Sequence, residues 1–247
     1  MTQSISQPLS PVERKSAVLD RLLQAGLRHW LLLFGIVWGL YVGLPWLAPV
    51  FMQLGWTSAG NAIYLLYSTQ CHQLPQRSLF LFGSKAMYSL TEIQSAWQMT
   101  DDPLLLRQFV GNAQMGWKVA WSDRMISLYT SLLLGGLIYW PFRKRFKPLP
   151  LWALVVLALP LMIDGSSHFV SDLAGIGYGF RDTNAWLAAL TFNAFSASFY
   201  SGDALGSFNS WMRWGSGILM GLGLAWLIFP YCEAAFADLV NQGDSSN

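Results

Sequence analysis

Two short stretches carry the residue types that could do chemistry. In STQCHQLPQRSLFLFG, Ser68–Gly83, a thiol (Cys71), an imidazole (His72), two amides (Gln73, Gln76) and a guanidinium (Arg77) crowd together. In DGSSHFVSD, Asp164, His168 and Asp172 stand at i, i+4 and i+8, so a continuing helix would project all three from one face. A carboxylate and an imidazole one turn apart can hold a divalent metal such as zinc. The same spacing suits an Asp–His hydrogen bond that fixes the imidazole tautomer. Ser68 and His72 repeat the one-turn spacing with a hydroxyl. His72, Asp164 and His168, with Cys71 as a fourth candidate, are therefore candidate metal ligands or acid–base groups, with Asp164 orienting His168 or acting as base to a water. Without a CxxC or HxxxH pair, an unmetallated hydrogen-bond network is the alternative. Arg77, Arg124 and Arg213, with Asn209, are the candidates for holding an anionic group, because arginine suits bidentate binding of phosphate or carboxylate. Their alternative role is pairing with Asp123, Asp164 and Asp172.

The elements that must position these residues are membrane helices. The chain has 247 residues, 53% hydrophobic and 11% charged, where soluble domains carry about 25% charged residues. Its thirteen tryptophans and nine tyrosines suit the membrane–water interface. A net charge of +2 gives no electrostatic case for nucleic acid. Two cysteines, Cys71 and Cys232, make no disulfide framework.

A span needs about 20 mostly apolar residues. Four stretches qualify: Trp30–Met52, about Arg124–Trp140, Leu149–Ile163 running on past Asp164, and Trp211–Phe229. Two weaker segments, Asn61–Ser68 and Ala185–Tyr200, read as re-entrant or interfacial helices, with a full span as the competing reading. The fold class predicted is an all-α polytopic membrane helix bundle of about four spans plus one or two such helices. Residues 1–27 are polar, lack the apolar core of a cleavable signal peptide, and form a cytoplasmic amphipathic segment. Its helix starts at Ser10 or Pro11, lines Val18, Leu19, Leu22, Leu23 and Leu27 along one side, and lies on the membrane surface. The transmembrane domain covers 28–229, with an extracytoplasmic loop at 84–121, and 230–247 is a cytoplasmic tail. This orientation follows from keeping Arg14, Lys15, Arg21, Arg28 and the basic run Arg143–Lys147 inside. Within the loop, SLTEIQSAW and TDDPLLLRQFVGN begin with capping residues and predict short helices. Gly217 and Gly221 form a GxxxG pair, the mark of close helix contact. Trp117, Trp121, Trp211 and Trp214 read as an interfacial belt.

On this map the unusual polar residues converge. Ser122, Asp123 and Arg124 open the second span. Asp164 and His168 close the third, Asn209 and Arg213 open the last, and Cys71–Arg77 follows the first. All fall at one membrane boundary whichever way the topology points. Ionisable groups at membrane depth mark functional sites by default. A single pocket is the sharper reading and helix-end pairing the alternative.

The blocks also resemble a known family. CHQLPQRSLFLFG is similar to the opening signature, Cys-His-x-x-x-x-Arg-Ser, of prokaryotic membrane proteins grouped as domain of unknown function 2085. SDRMISLY, DGSSH and NSWMRWGSG resemble its later blocks, keeping Arg124, Tyr129, Asp164, Asn209, Arg213 and Gly217, with His168 where glutamine is usual. The resemblance covers roughly residues 65–228. Its paired cysteines are here Ser122 and Met125, which weighs against a thiol-based role. It implies a prokaryotic cell membrane and no established activity. Three functions follow as expectations: a lipid- or lipid-phosphate-handling enzyme at the outer boundary, with membrane lipid as its partner; a non-catalytic accessory subunit with membrane protein partners; and a transporter, ranked last because the spans are apolar at their middles.

Overall fold

The computed structural model describes residues 11–143 and 145–245, and side chains over 19–143 and 145–244; Ser10, the Val18 side chain and Lys144 lie outside these. In chain order the elements are α1 (Pro11–Arg28), α2 (Trp30–Gln53), α3 (Thr57–Tyr67), a 3-10 turn (Pro75–Arg77), β1 (Ser78–Leu81), α4 (Leu90–Ala96), α5 (Pro103–Leu106), β2 (Gly111–Asn112), β3 (Gly116–Ser122), α6 (Asp123–Phe142), α7 (Leu151–Asp172), α8 (Phe180–Thr183), α9 (Ala185–Leu190), α10 (Ala197–Tyr200) and α11 (Phe208–Ser245).

Four of these helices, α2, α6, α7 and α11, are long and apolar enough to cross a membrane. The fold is a helical membrane bundle with a minor sheet. The predicted spans fall on these four helices, within a few residues at most ends. The weaker segments become the eleven-residue α3 and the broken pair α9 and α10, all too short to be counted among the spans. The last span exceeds its predicted length. Helix α11 runs unbroken through Pro230 over 38 residues, about 57 Å at 1.5 Å per residue, against an apolar core of roughly 30 Å.

The α6–α11 seam is built on small residues. A Cβ at Gly217 would collide with Ser127 Oγ, one at Gly221 with Ser131 Oγ and the Leu128 carbonyl, and one at Gly135 with Ala225. Ser127 and Ser131 donate back to their own helix at the Arg124 and Leu128 carbonyls, and reach across to the Arg213 and Gly217 carbonyls at 3.3 and 3.5 Å. Lipid offers no hydrophobic drive between apolar helices, so close backbone approach and such contacts hold them.

The segment expected to hold only short helices also carries a three-stranded antiparallel sheet, ordered β1-β3-β2, with an irregularity between Ser78 and Phe80. Asn112 Oδ1 accepts from the backbone of Gln114 and Met115 and closes the β2–β3 turn. Gly116, at φ +74°, lies so close to the Leu81 carbonyl that no side chain fits. The sheet packs with α3 on α2 through Val42, Ala48, Met52, Tyr64, Tyr67, Cys71, Val119 and Trp121. Here one expectation is corrected. Trp121 is fully buried, its ring 4.8 Å from Tyr129 and 5.1 Å from Tyr67, because β3 turns it into this aromatic core; Trp211, by contrast, is exposed. Ser89 caps α4 in a reciprocal capping box with Glu92, and Asp102, not Thr100, caps α5.

Candidate functional site: a buried arginine–aspartate network

Helix α7 is apolar in sequence, yet its buried residues are Asp164, His168 and Ser171. Its hydrocarbon side chains face outward and its polar ones inward, as expected for a helix whose solvent is lipid. The polar face meets the first turns of α6 and α11, the short helix α8, the loop before α11, and the 3-10 turn after α3. Asn184, in the left-handed conformation between α8 and α9, donates to the Arg181 and Tyr200 carbonyls and fixes the α8 loop over this face.

Asp164 is fully buried and receives Arg124 Nη2 at 2.5 Å and Arg181 Nη2 at 2.7 Å. Asp123, also fully buried, takes Arg213 Nε on both oxygens at 2.8 and 2.9 Å and the Arg124 backbone amide at 2.8 Å. Asp203 bridges Arg77 Nε at 2.7 Å and Arg213 Nη1 at 2.5 Å. Asp172, the most exposed of the four carboxylates, takes Arg77 Nη1 and Nη2 at 2.7 and 2.8 Å. Four guanidiniums thus face four carboxylates and the formal charge cancels. Desolvating so many ions is costly, and the cost is met only when nearly every donor and acceptor is used. Outside the spans, burial would raise the Asp203 carboxyl, but Arg77 and Arg213 outweigh it and hold it far below the usual carboxylate range. Burial would lower the Arg77 guanidinium, but Asp203 and Asp172 more than reverse that. Arg181 goes the other way: burial lowers it and Asp164 only partly compensates.

Three of the arginines are spent. Arg77 and Arg213 bond through Nε, Nη1 and Nη2. Arg181 reaches Asn209 through Nε, Ser167 through Nη1, and Asp164 and His168 through Nη2. Arg124 differs. Among the described residues its guanidinium bonds only Asp164 and its buried Nε has no partner, and its side chain is 19% exposed, the most open of the four. Two further buried donors without acceptors, Trp121 Nε1 and Trp214 Nε1, sit on residues near it in sequence and beside Arg213.

His72 is the exposed member of its motif. Its Nδ1 accepts the Leu74 amide at 3.2 Å, which places the proton of the neutral ring on Nε2. Desolvation first, then the guanidiniums of Arg77, Arg124 and Arg213, hold its protonation well below the usual imidazole range; its exposure to water tempers the first cause. His72 therefore presents an N–H donor. His168 is buried; its Nε2 faces Arg181 Nη2 at 3.3 Å and lies 3.9 Å from Asp164, and its Nδ1 has no partner. Cys71 is buried, with Sγ 3.4 Å from both the hydroxyl and the amide of Ser122.

The network brings together Arg77, Arg124, Arg213, Asn209, Asp164 and His168, with His72 in the field of three of the guanidiniums. The metal reading finds no support: among the described residues no group of three or more His, Cys, Asp or Glu is placed to hold an ion. Guanidiniums occupy both Asp164 oxygens where a metal would sit. The arginine–aspartate pairing weighed as the alternative is present, with partners partly exchanged.

The sequence reading overlooked Arg181, which is the sole Lys or Arg between His168 and Arg213 and for that reason a natural counter-ion to a buried α7 carboxylate. It also overlooked Lys118, fully buried in β3, whose ammonium donates to the Gln73 and Arg107 carbonyls at 2.8 and 2.6 Å and, among the described residues, has no carboxylate partner. Burial lowers it to about 7. Gln73 Nε2 in turn bonds the Tyr64 and Ala120 carbonyls, so the amides of the first motif stitch its loop to the sheet.

Comparison with known proteins fits this architecture. The chain is 30% identical over 132 residues to an uncharacterized protein of Methanocaldococcus jannaschii, a match that takes in 50% of this chain and spans 63% of that relative's length. No solved structure matches. The family model described as "Predicted membrane protein (DUF2085)" matches residues 113–227, which takes in Asp123, Arg124, Asp164, His168, Arg181, Asp203, Asn209 and Arg213 and leaves Cys71–Ser78 outside. Over residues 113–227, then, this chain is similar to the predicted membrane protein family DUF2085.

Proposed function

We propose that the protein recognises an anionic lipid head group, a phosphate monoester or a carboxylate, at the membrane boundary where the network opens. The single observation that carries this is Arg124: of the four guanidiniums drawn into the bundle end, it alone has nitrogens that make no hydrogen bond among the described residues. The exposed His72, in the field of Arg77, Arg124 and Arg213, adds an Nε2–H donor, which suits a ligand rich in acceptors. Asp164 and His168 serve by fixing Arg124 and Arg181, since a carboxylate held by two guanidiniums is a poor base. On the positive-inside rule this end faces away from the cytoplasm of a prokaryotic cell, with both termini inside.

The test uses the full chain in nanodiscs, titrated with phosphatidic acid against phosphatidylcholine of the same chains. One charge-assisted hydrogen bond contributes about 1.5–3 kcal/mol, so Arg124→Gln should weaken phosphatidic acid binding by about tenfold or more. His72→Ala should weaken it by a smaller factor, and phosphatidylcholine should bind no better to either variant. Wild-type affinity in both variants, with unchanged tryptophan emission, overturns the proposal.

The saturation of Arg77, Arg181 and Arg213 favours a second reading, a rigid clamp in an accessory subunit. It predicts that partner subunits co-purify in mild detergent. The Gly217–Gly221 pair gives it no help, because α6 already covers that surface.

A further inference from the structure

The opposite end of the bundle holds two adjoining concavities. One is an apolar crevice of about 290 Å³ between α2 and α6, walled by Leu31, Phe34, Leu133 and Trp140, with Gly35 and Gly136 in its lining. The other is a groove of about 400 Å³ among the α1–α2 junction, the end of α6 and the tail of α11, lined by Arg28, His29, Trp30, Arg143, Glu233 and Phe236. They meet at one level. Trp30 and Leu31 are consecutive, and Trp140 and Arg143 are one helical turn apart.

Most polar groups of the groove are already engaged. Glu233 accepts Trp30 Nε1 at 2.8 Å, and Arg28 Nη2 holds both Asp244 oxygens at 2.7 and 2.8 Å. Arg143 is held more loosely: its Nε forms an ion pair with Glu233 at 3.7 Å, and among the described residues its guanidinium makes no hydrogen bond. His29 is exposed beside it. An apolar crevice open at membrane depth takes an acyl chain, and a half-exposed guanidinium one turn away takes a single negative charge. We infer that this corner binds one anionic phosphodiester lipid, with a chain between α2 and α6 and its phosphate at Arg143. This site stands at the far end of the bundle from the Arg124 opening and does not depend on it.

The crevice offers its own probe. A Cβ at Gly35 would meet nothing within 4 Å, so Gly35→Leu can occupy the crevice without disturbing packing. Gly43, equally open and on the same helix but outside the crevice, is the control. Native mass spectrometry of the full chain, in wild-type and Arg124→Gln backgrounds, would compare phosphatidylglycerol with phosphatidylcholine of identical chains. The wild type should retain phosphatidylglycerol about fivefold better, the usual factor for one basic residue at an anionic surface. Arg143→Gln should abolish the preference, Gly35→Leu should lower retention of both lipids, and Gly43→Leu should retain both. No preference in the wild type, a preference surviving Arg143→Gln, or equal behaviour of the two glycine variants overturns the inference. So does displacement of the lipid by glycerophosphoglycerol, its head without chains, at the concentration of the intact lipid.

Discussion

Asp203→Asn isolates the worth of the network at a carboxylate that two arginines share. Asp203 is buried, and its two oxygens hold guanidiniums from opposite sides, Arg77 at 2.7 Å and Arg213 at 2.5 Å. An asparagine keeps one acceptor and turns an N–H donor toward the other guanidinium. The variant loses one charge-assisted bond outright, weakens the second, and leaves the cluster with an unmatched buried positive charge. Breaking one partner of a buried pair costs about 3–5 kcal/mol, and we place this variant in that range. Asp172→Asn is the internal comparison. Asp172 holds Arg77 too, but its side chain is 24% exposed and Arg77 keeps Asp203, so the loss should be about 1 kcal/mol. Unfolding by SDS in mixed micelles, followed by the emission of the thirteen tryptophans, measures both. Equal losses for the two variants, or a loss below about 1 kcal/mol for Asp203→Asn, would show that burial does not set the strength of these pairs and would refute the reasoning. The same carboxyl gives a sign in pH. Its folded value lies below its unfolded value, so its contribution is complete above the ordinary carboxylate range and is lost as acid carries the pH down toward the folded value. Asp203→Asn should flatten the acid limb of the stability curve.

Lys118 predicts a slope at the alkaline side. Its folded value is about 7 against 10.5 when unfolded, so stability should rise with pH between those values by up to about 1.4 kcal/mol per unit, and Lys118→Met should remove that rise. Gly221→Val drives methyls into Ser131 Oγ and the Leu128 carbonyl and should separate α6 from α11; a cross-link between one cysteine introduced into each of those helices should form with Gly221 in place and fail with the substitution. Ser89→Ala removes the α4 capping box and should cost about 1 kcal/mol in the same unfolding assay, with no effect on lipid binding.

The spans were legible because hydrocarbon length is a hard constraint, and the α6–α11 seam because glycines four apart in an apolar run have few other uses. Convergence of the polar blocks on one bundle end followed from counting crossings. Their partners did not follow, because arginines and aspartates far apart in sequence can pair in many ways. In sequence Arg77 reads either as a ligand-binding group or as a partner for an aspartate such as Asp172; it holds Asp172 and also Asp203, 95 and 126 residues away. Arg181 was not legible because it lies between the spans, in a short helix that folds back over α7. The sheet was missed because β2 is two residues long and β3 carries a lysine in mid-strand; the alternation of Trp117, Val119 and Trp121 was its faint trace. Lys118 looks like a surface residue in sequence, and only two backbone carbonyls explain its burial.

The length of α11 has a mechanical consequence. A helix of 38 residues cannot shorten, so a thinner bilayer must be met by tilt. The Gly–Ser seam and the Arg213–Asp123 pair oblige α6 to tilt with it as one lever. Helix α7 rides on that lever, through Leu154 and Leu157 against Gly223 and, nearer its other end, through Asp164 on Arg124. A change in membrane thickness would therefore load the buried Arg124–Asp164 pair as well as the apolar seam.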